Sequence, residues 1–126
     1  MKRFLFGFWC VLGMMPVQAS DSKRELEYAD EIARTLMAGQ IVRLDSDGNP
    51  FLAIYTETDR IDHDGAAIIF HDRGGHPDQK PLIHALRTEL AKHQWATLSL
   101  QMPLREPGVS SEDYYALFPE IVPRVK

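Results

Sequence analysis

Ala66-Ala67-Ile68-Ile69-Phe70, read together with His71-Asp72-Arg73-Gly74-Gly75-His76-Pro77-Asp78, decides the fold of this chain. The first run is apolar at every position rather than at alternate ones, so it predicts a strand covered on both faces, as in a parallel sheet. The second, with two adjacent glycines, two histidines and a proline, predicts a shaped loop. Asp78 is placed to cap a following helix, and Pro81 falls in its first turn, where a missing N–H removes no intrahelical bond. Leu82, Leu86 and Leu90, with Ile83 beside them, form an apolar stripe, while Lys80, His84, Arg87, Glu89 and Lys92 point elsewhere. Trp95-Ala96-Thr97-Leu98-Ser99-Leu100 supplies a second strand, and a strand-helix-strand crossover of this length is expected to be right-handed with its strands parallel. Sites in such sheets lie beyond the carboxyl ends of the strands. Here that means His71 to Asp78 and Gln101 to Pro107.

Working outward, Ser22-Lys23-Arg24-Glu25 fits a capping box, and Leu26, Ala29, Ile32, Ala33, Leu36 and Met37 recur at helical spacing. Gly39 stands where a helix commonly ends in a left-handed residue. An amphipathic helix packed on the domain is expected. Gln40 to Leu44 and Phe51 to Tyr55 read as an antiparallel hairpin joined by Asp45-Ser46-Asp47-Gly48-Asn49-Pro50. The Asp45, Asp47, Asn49 spacing imitates the opening of a calcium loop, but Pro50 takes the glycine position and Thr56 stands where a bidentate glutamate closes the cage. After Met102, Ser110 or Ser111 can cap a short helix reaching Phe118, with Pro119 and Pro123 interrupting any continuation.

Residues 1–19 are set aside from the fold. Lys2 and Arg3 precede the apolar run Phe4 to Met15, and Val17-Gln18-Ala19 is a small-residue cleavage signal, so an export signal cut after Ala19 is expected, with the periplasm as destination. Cys10, the single cysteine, falls within that segment, so the exported chain has no disulfide, thiolate nucleophile or cysteine metal site. Removing Lys2 and Arg3 from the 14 basic side chains leaves 12 against 18 acids, a formal charge of −6. Nucleic acid and anionic membrane surfaces are poor partners for such a chain. Residues 20–126 suffice for one small domain.

The order of elements carries a resemblance. A hairpin, a linker, the strand 66–70, a histidine-and-glycine loop, a helix and the strand 95–100 look like the first half of an α/β-hydrolase. More specifically, Gly39-Gln40 through Phe51-Leu52-Ala53-Ile54-Tyr55-Thr56, His71 through Asp78, and Gln94-Trp95 through Gln101-Met102-Pro103 resemble an uncharacterised family of exported bacterial α/β-hydrolase-like proteins. The fold class expected is therefore α/β, a partial α/β-hydrolase-like sheet preceded by an amphipathic helix. In that fold the loop after the third strand often reads His-Gly, and one of its backbone N–H groups helps hold the oxyanion of the tetrahedral intermediate. Carried over, His71 matches the histidine, Asp72 replaces the first glycine, and the Arg73 N–H is the donor, with Gly74, Gly75 and His76 completing the loop. A carboxylate at Asp72 opposes a developing negative charge if it points inward, although Arg73 can neutralise it. Two readings stay open: an oxyanion loop, and a loop whose His71, Asp72 and Arg73 only hold its shape.

The mechanism of such hydrolases needs a Gly-x-Ser-x-Gly elbow followed by an acid and a histidine. Gly108-Val109-Ser110-Ser111-Glu112 lacks the second glycine and the preceding apolar strand, and helix capping accounts for both serines. No triad can be assembled, so the chain is expected to be a truncated hydrolase-like domain without catalysis of its own, its longer relatives cleaving an ester or similar acyl bond. No cofactor is expected. His71 and His76, with Asp72 or Asp78, offer zinc ligand types, but their loop spacing fixes no geometry and no fourth ligand is evident. The outer edge of strand 66–70 would lack a neighbour, which favours self-association or a complementing chain. A small periplasmic binding or interaction module is the alternative function.

Overall fold

The computed structural model describes residues 20–126, and the export signal expected over residues 1–19 lies outside them. Its elements are α1 (Ser22–Thr35), β1 (Gln40–Ser46), β2 (Asn49–Thr56), β3 (Gly65–Phe70), α2 (Leu82–Lys92), β4 (Trp95–Leu100), α3 (Ser111–Tyr115) and α4 (Phe118–Arg124). The four strands form one mixed sheet in the order β1-β2-β4-β3. β2 runs antiparallel to both β1 and β4, whereas β3 and β4 are parallel neighbours, with Ile68 opposite Leu98. The α/β class, the hairpin and the parallel pair joined by a crossover helix are as expected.

Strand periodicity separates two cores. On one face Leu52 and Ile54 pack against Ala29 and Ile32 of α1. On the other, Phe51, Ala53, Leu100 and Met102 cluster with Val42, Leu44 and Leu98 of the sheet and Ile121 of α4. The expectation that strand 66–70 is covered on both faces fails. Ile69 is buried, but Ile68 and Phe70 remain exposed because the α4 cluster covers the hairpin side of their face and β3 stands at the sheet margin.

Local signals shifted by a residue or more where tertiary partners intervened. The cap of α1 is Asp21, which accepts from the Arg24 N–H, so the Ser22 box does not form. Glu25 instead pairs with Arg124 of α4, Oε2 to Nη1 at 3.0 Å. α1 stops at Thr35, short of Met37, which is exposed as Leu26 is within the helix, and Gly39 takes its left-handed φ of 89° only at the entry to β1. The hairpin turn is tighter than Asp45 to Pro50. Asp47 and Gly48 have φ of 53° and 83°, the two-residue turn that matches strand twist, and Asp45 pairs with Pro50 inside the ladder.

In α2 the sheet-facing residues are Ile83, Arg87 and Ala91, while Leu82 and Leu86 of the expected stripe lie outside. Asp78 does not cap it, since the helix begins at Leu82 with Pro81 before it. Ser110 alone caps α3, in a reciprocal box with Asp113. Pro119 opens α4 and Pro123 closes it, so neither interrupts it: a first-turn proline removes no bond, and the helix ends a residue after the second.

Candidate functional site

The parallel strands β3 and β4 end side by side, and the segments leaving them, residues 71–78 and 101–107, meet as expected. His71 joins the two. The Met102 N–H donates to its Nε2 at 2.9 Å, which requires that nitrogen to be bare and leaves the proton on Nδ1, 2.7 Å from the Asp72 carbonyl. Gln101 Nε2 also lies 3.0 Å from His71 Nε2 and donates to the Met102 carbonyl at 2.8 Å. Burial lowers the His71 pKa to about 4, the Asp72 carbonyl pulling the other way. The ring is therefore neutral and fully engaged, and it holds the loop rather than offering a base.

The loop then divides. Gly75 to Asp78 turn back onto the helices. The Tyr28 hydroxyl donates to the Gly74 carbonyl at 3.1 Å, and its ring rests 4.8 Å from that of His76, whose Nδ1 accepts from the Asp78 N–H. Burial also lowers His76. Arg24 adds a second grip, donating to the Tyr28 hydroxyl and to the Arg105 carbonyl. Asp78 Oδ1 receives Arg87 Nη2 at 2.5 Å and Nε at 3.1 Å, and lies 2.8 Å from His84 Nδ1. Burial pushes the Asp78 carboxyl up, but the hydrogen bonds and charges of Arg87 and His84 outweigh it and hold it below its usual value. Arg87, fully buried, uses its remaining Nη1 on the Ala38 carbonyl and Thr56 Oγ1. His84 is accordingly tied to this cluster, not left in solvent.

Asp72 and Arg73 go the other way. They are exposed and line an apolar cleft of about 390 Å³ with Phe70, Met102, Pro103, Tyr114, Ile121 and Val125. The Arg73 guanidinium donates to Ser111 Oγ and lies 5.9 Å from the centre of the Tyr114 ring. Among the described residues the Arg73 N–H meets no acceptor. The six loop residues thus do not converge on one point: His71 and Gly75 are buried in the scaffold, His76 turns to α1, Gly74 arches at φ 78°, and Asp72 and Arg73 face the cleft.

Among the described residues no set of histidine, cysteine and carboxylate groups is arranged to hold a metal. Three serine hydroxyls of the described residues are each engaged with a partner other than a histidine. Ser110 bonds Asp113, Ser111 receives Arg73, and Ser99 donates to the Pro77 carbonyl at 2.8 Å. The residues that sequence reasoning missed are Arg87, assigned to the outer face, and Tyr28 and Tyr114. Only Arg87 left a trace, since Ile83, Arg87 and Ala91 share helical spacing as regular as that of the leucines.

The class these features define is a mixed α/β domain with a loop-built cleft beyond the carboxyl ends of its parallel strands. The chain belongs to the family described as Protein of unknown function (DUF3530), whose model matches residues 14–125. No curated protein and no solved structure matches it. The expected membership of an uncharacterised domain family is thereby met.

Proposed function

We propose that this chain forms the oxyanion-side portion of an exported α/β-hydrolase-like fold, presenting a backbone donor beside an acyl-sized cleft without supplying a nucleophile. The observation that carries this reading is Arg73: it lines the cleft at the carboxyl end of β3, and its N–H has no acceptor among the described residues. A donor left unengaged directly after a buried, fully bonded His71 is what charge developing on a carbonyl oxygen requires. Asp72 Oδ1 lies close to the Gly75 Cα, at 2.9 Å from where a Cβ would stand, so the carboxylate leans along the loop.

Two measurements test it. Added butyrate is expected to shift the backbone amide resonances of Phe70 to Gly74, Arg73 most, and the absence of any shift there would sink the reading. The purified protein is expected to leave p-nitrophenyl butyrate at its background rate, and an esterase activity abolished by Ser110→Ala or Ser111→Ala would overturn it. Export is tested separately by the amino terminus of the protein recovered from cells, expected at Ser20. A second reading, a binding or interaction module, is supported by the unpaired flank of β3.

A further inference from the structure

We propose, resting on the export reading above, that removal of the export signal after Ala19 completes a charge cluster that locks the fold: the α-ammonium group set free on Ser20 pairs with the Glu120 carboxylate and ties the start of α1 to α4. As an amide, the Ser20 N–H already donates to Glu120 Oε1 at 3.3 Å, across a sequence separation of 100 residues. Both residues are half-buried. The next residue fixes this approach. The Asp21 N–H donates to the Leu104 carbonyl at 2.7 Å, and the Asp21 carboxylate caps α1.

The surroundings are one positive charge short. Ser20 stands between two cavities of about 260 and 310 Å³, and the charged side chains lining them are Glu25, Asp47 and Glu120 against Arg43 and Arg124, three carboxylates to two guanidiniums. Arg124 is spent on the Glu25 carboxylate, with Nη1 and Nη2 at 3.0 and 3.3 Å, and on the Gln101 carbonyl. Among the described residues Glu120 receives the Ser20 N–H and no cationic side chain. Burial pushes the Glu25 carboxyl up, the bond and charge of Arg124 pull it down, and the Glu120 charge pushes it up again, so the two acids feel each other. A cation at Ser20 relieves both.

The cut supplies that cation. Water adds across the Ala19–Ser20 amide, its oxygen going to the Ala19 carbonyl carbon, which leaves as a carboxylate, and its two protons to the Ser20 nitrogen. A neutral group with one donor becomes a cation with three at the same place. Charge-assisted bonds are roughly twice as strong as neutral ones, and half-buried pairs are screened less than exposed ones. The ends of the domain, joined once by Glu25 and Arg124, are then joined twice, and the domain reaches its full stability only after processing.

The test compares the chain beginning at Ser20 with a free amino terminus, the same chain with that nitrogen acetylated, and both again with Glu120→Gln. Acetylation removes the charge and keeps one N–H, as the uncut amide does. It is expected to lower the folding equilibrium constant in urea by roughly three- to tenfold, the gap between a charge-assisted and a neutral bond, and to change nothing in the Glu120→Gln chain. The Ser20 amine should titrate above its ordinary value of about 7.7–8.0. Since the folded value is the higher, the advantage of the free amine is complete below about pH 7.7 and is lost as pH rises through the raised value. Acetylation without effect, an equal effect in the Glu120→Gln chain, or an amine titrating at or below its ordinary value overturns the proposal and leaves the export reading standing. A protein recovered from cells with an amino terminus other than Ser20 overturns both.

Discussion

The rear of the 71–78 loop, from Gly75 to Asp78, and its front, Asp72 and Arg73, adjoin in sequence and are opposite in physical character. The rear is held by charge-assisted bonds from Arg87 and His84 and by the Tyr28 contacts, all from elements elsewhere in the chain. The front is exposed, and among the described residues its guanidinium reaches Ser111 and the Tyr114 ring. A polar loop is rigid where its charges are buried and paired and available where they are not, and a site needs both conditions side by side.

The comparison is broken most severely at Arg87. Arg87→Met should cost about 3–5 kcal/mol in urea unfolding, because it removes a fully buried guanidinium, leaves the partly buried Asp78 carboxylate with His84 alone, and takes the donor from the Ala38 carbonyl and Thr56 Oγ1. A loss below about 1 kcal/mol would mean the rear is not anchored as described.

Acid is the next largest lever. His71 is held neutral, its pKa lowered to about 4 from 6.5, so the folded state binds fewer protons than the unfolded chain between those values. Its contribution is complete above about pH 6.5 and is lost as pH falls toward 4, of the order of 3 kcal/mol in all. Asp78, held low by Arg87, adds a loss in the same direction further into acid. Unfolding midpoints measured across this range should fall with pH, and His71→Gln should flatten the slope.

Gly39→Ala sharpens the description of the rear scaffold. At φ 89° a Cβ would stand 2.8 Å from both the Tyr55 carbonyl and Thr56 Oγ1 and 3.0 Å from Arg87 Nη1. A cost of about 2 kcal/mol is expected from left-handed strain and crowding. The front should respond least: Asp72→Asn and Arg73→Ala are expected to change stability by no more than about 0.5 kcal/mol in the same urea assay. A larger effect would place the front in the scaffold and remove it from the candidate site.

Much of this was legible in the residues. The run Ala66 to Phe70, the Asp47-Gly48 turn formers and the strand from Trp95 to Leu100 announce themselves because strand and turn preference act over a few neighbours. The position of the loop after β3 followed, since the end of a strand preceding a crossover helix fixes where its loop must lie. Which face of α2 met the sheet did not follow. Leu82 and Leu86 compose the more apolar stripe, yet Arg87 lies inward because acceptors converge on it from Asp78, Ala38 and Thr56, separated from it by 9, 49 and 31 residues. Glu25 misled for the same reason: its partner Arg124 lies 99 residues away.

The sequence by itself therefore determined the strands, the presence of a turn between the first two, the crossover helix and the loop between β3 and α2, all governed by chain-local sterics and hydrophobic period. Only the tertiary structure decided that β3 is open on one face, that His71 is a bolt rather than a base, and that Asp78 serves a buried arginine instead of a helix end. Burial, protonation and ion pairing depend on groups brought together from distant parts of the chain, and no local pattern encodes which of them will meet.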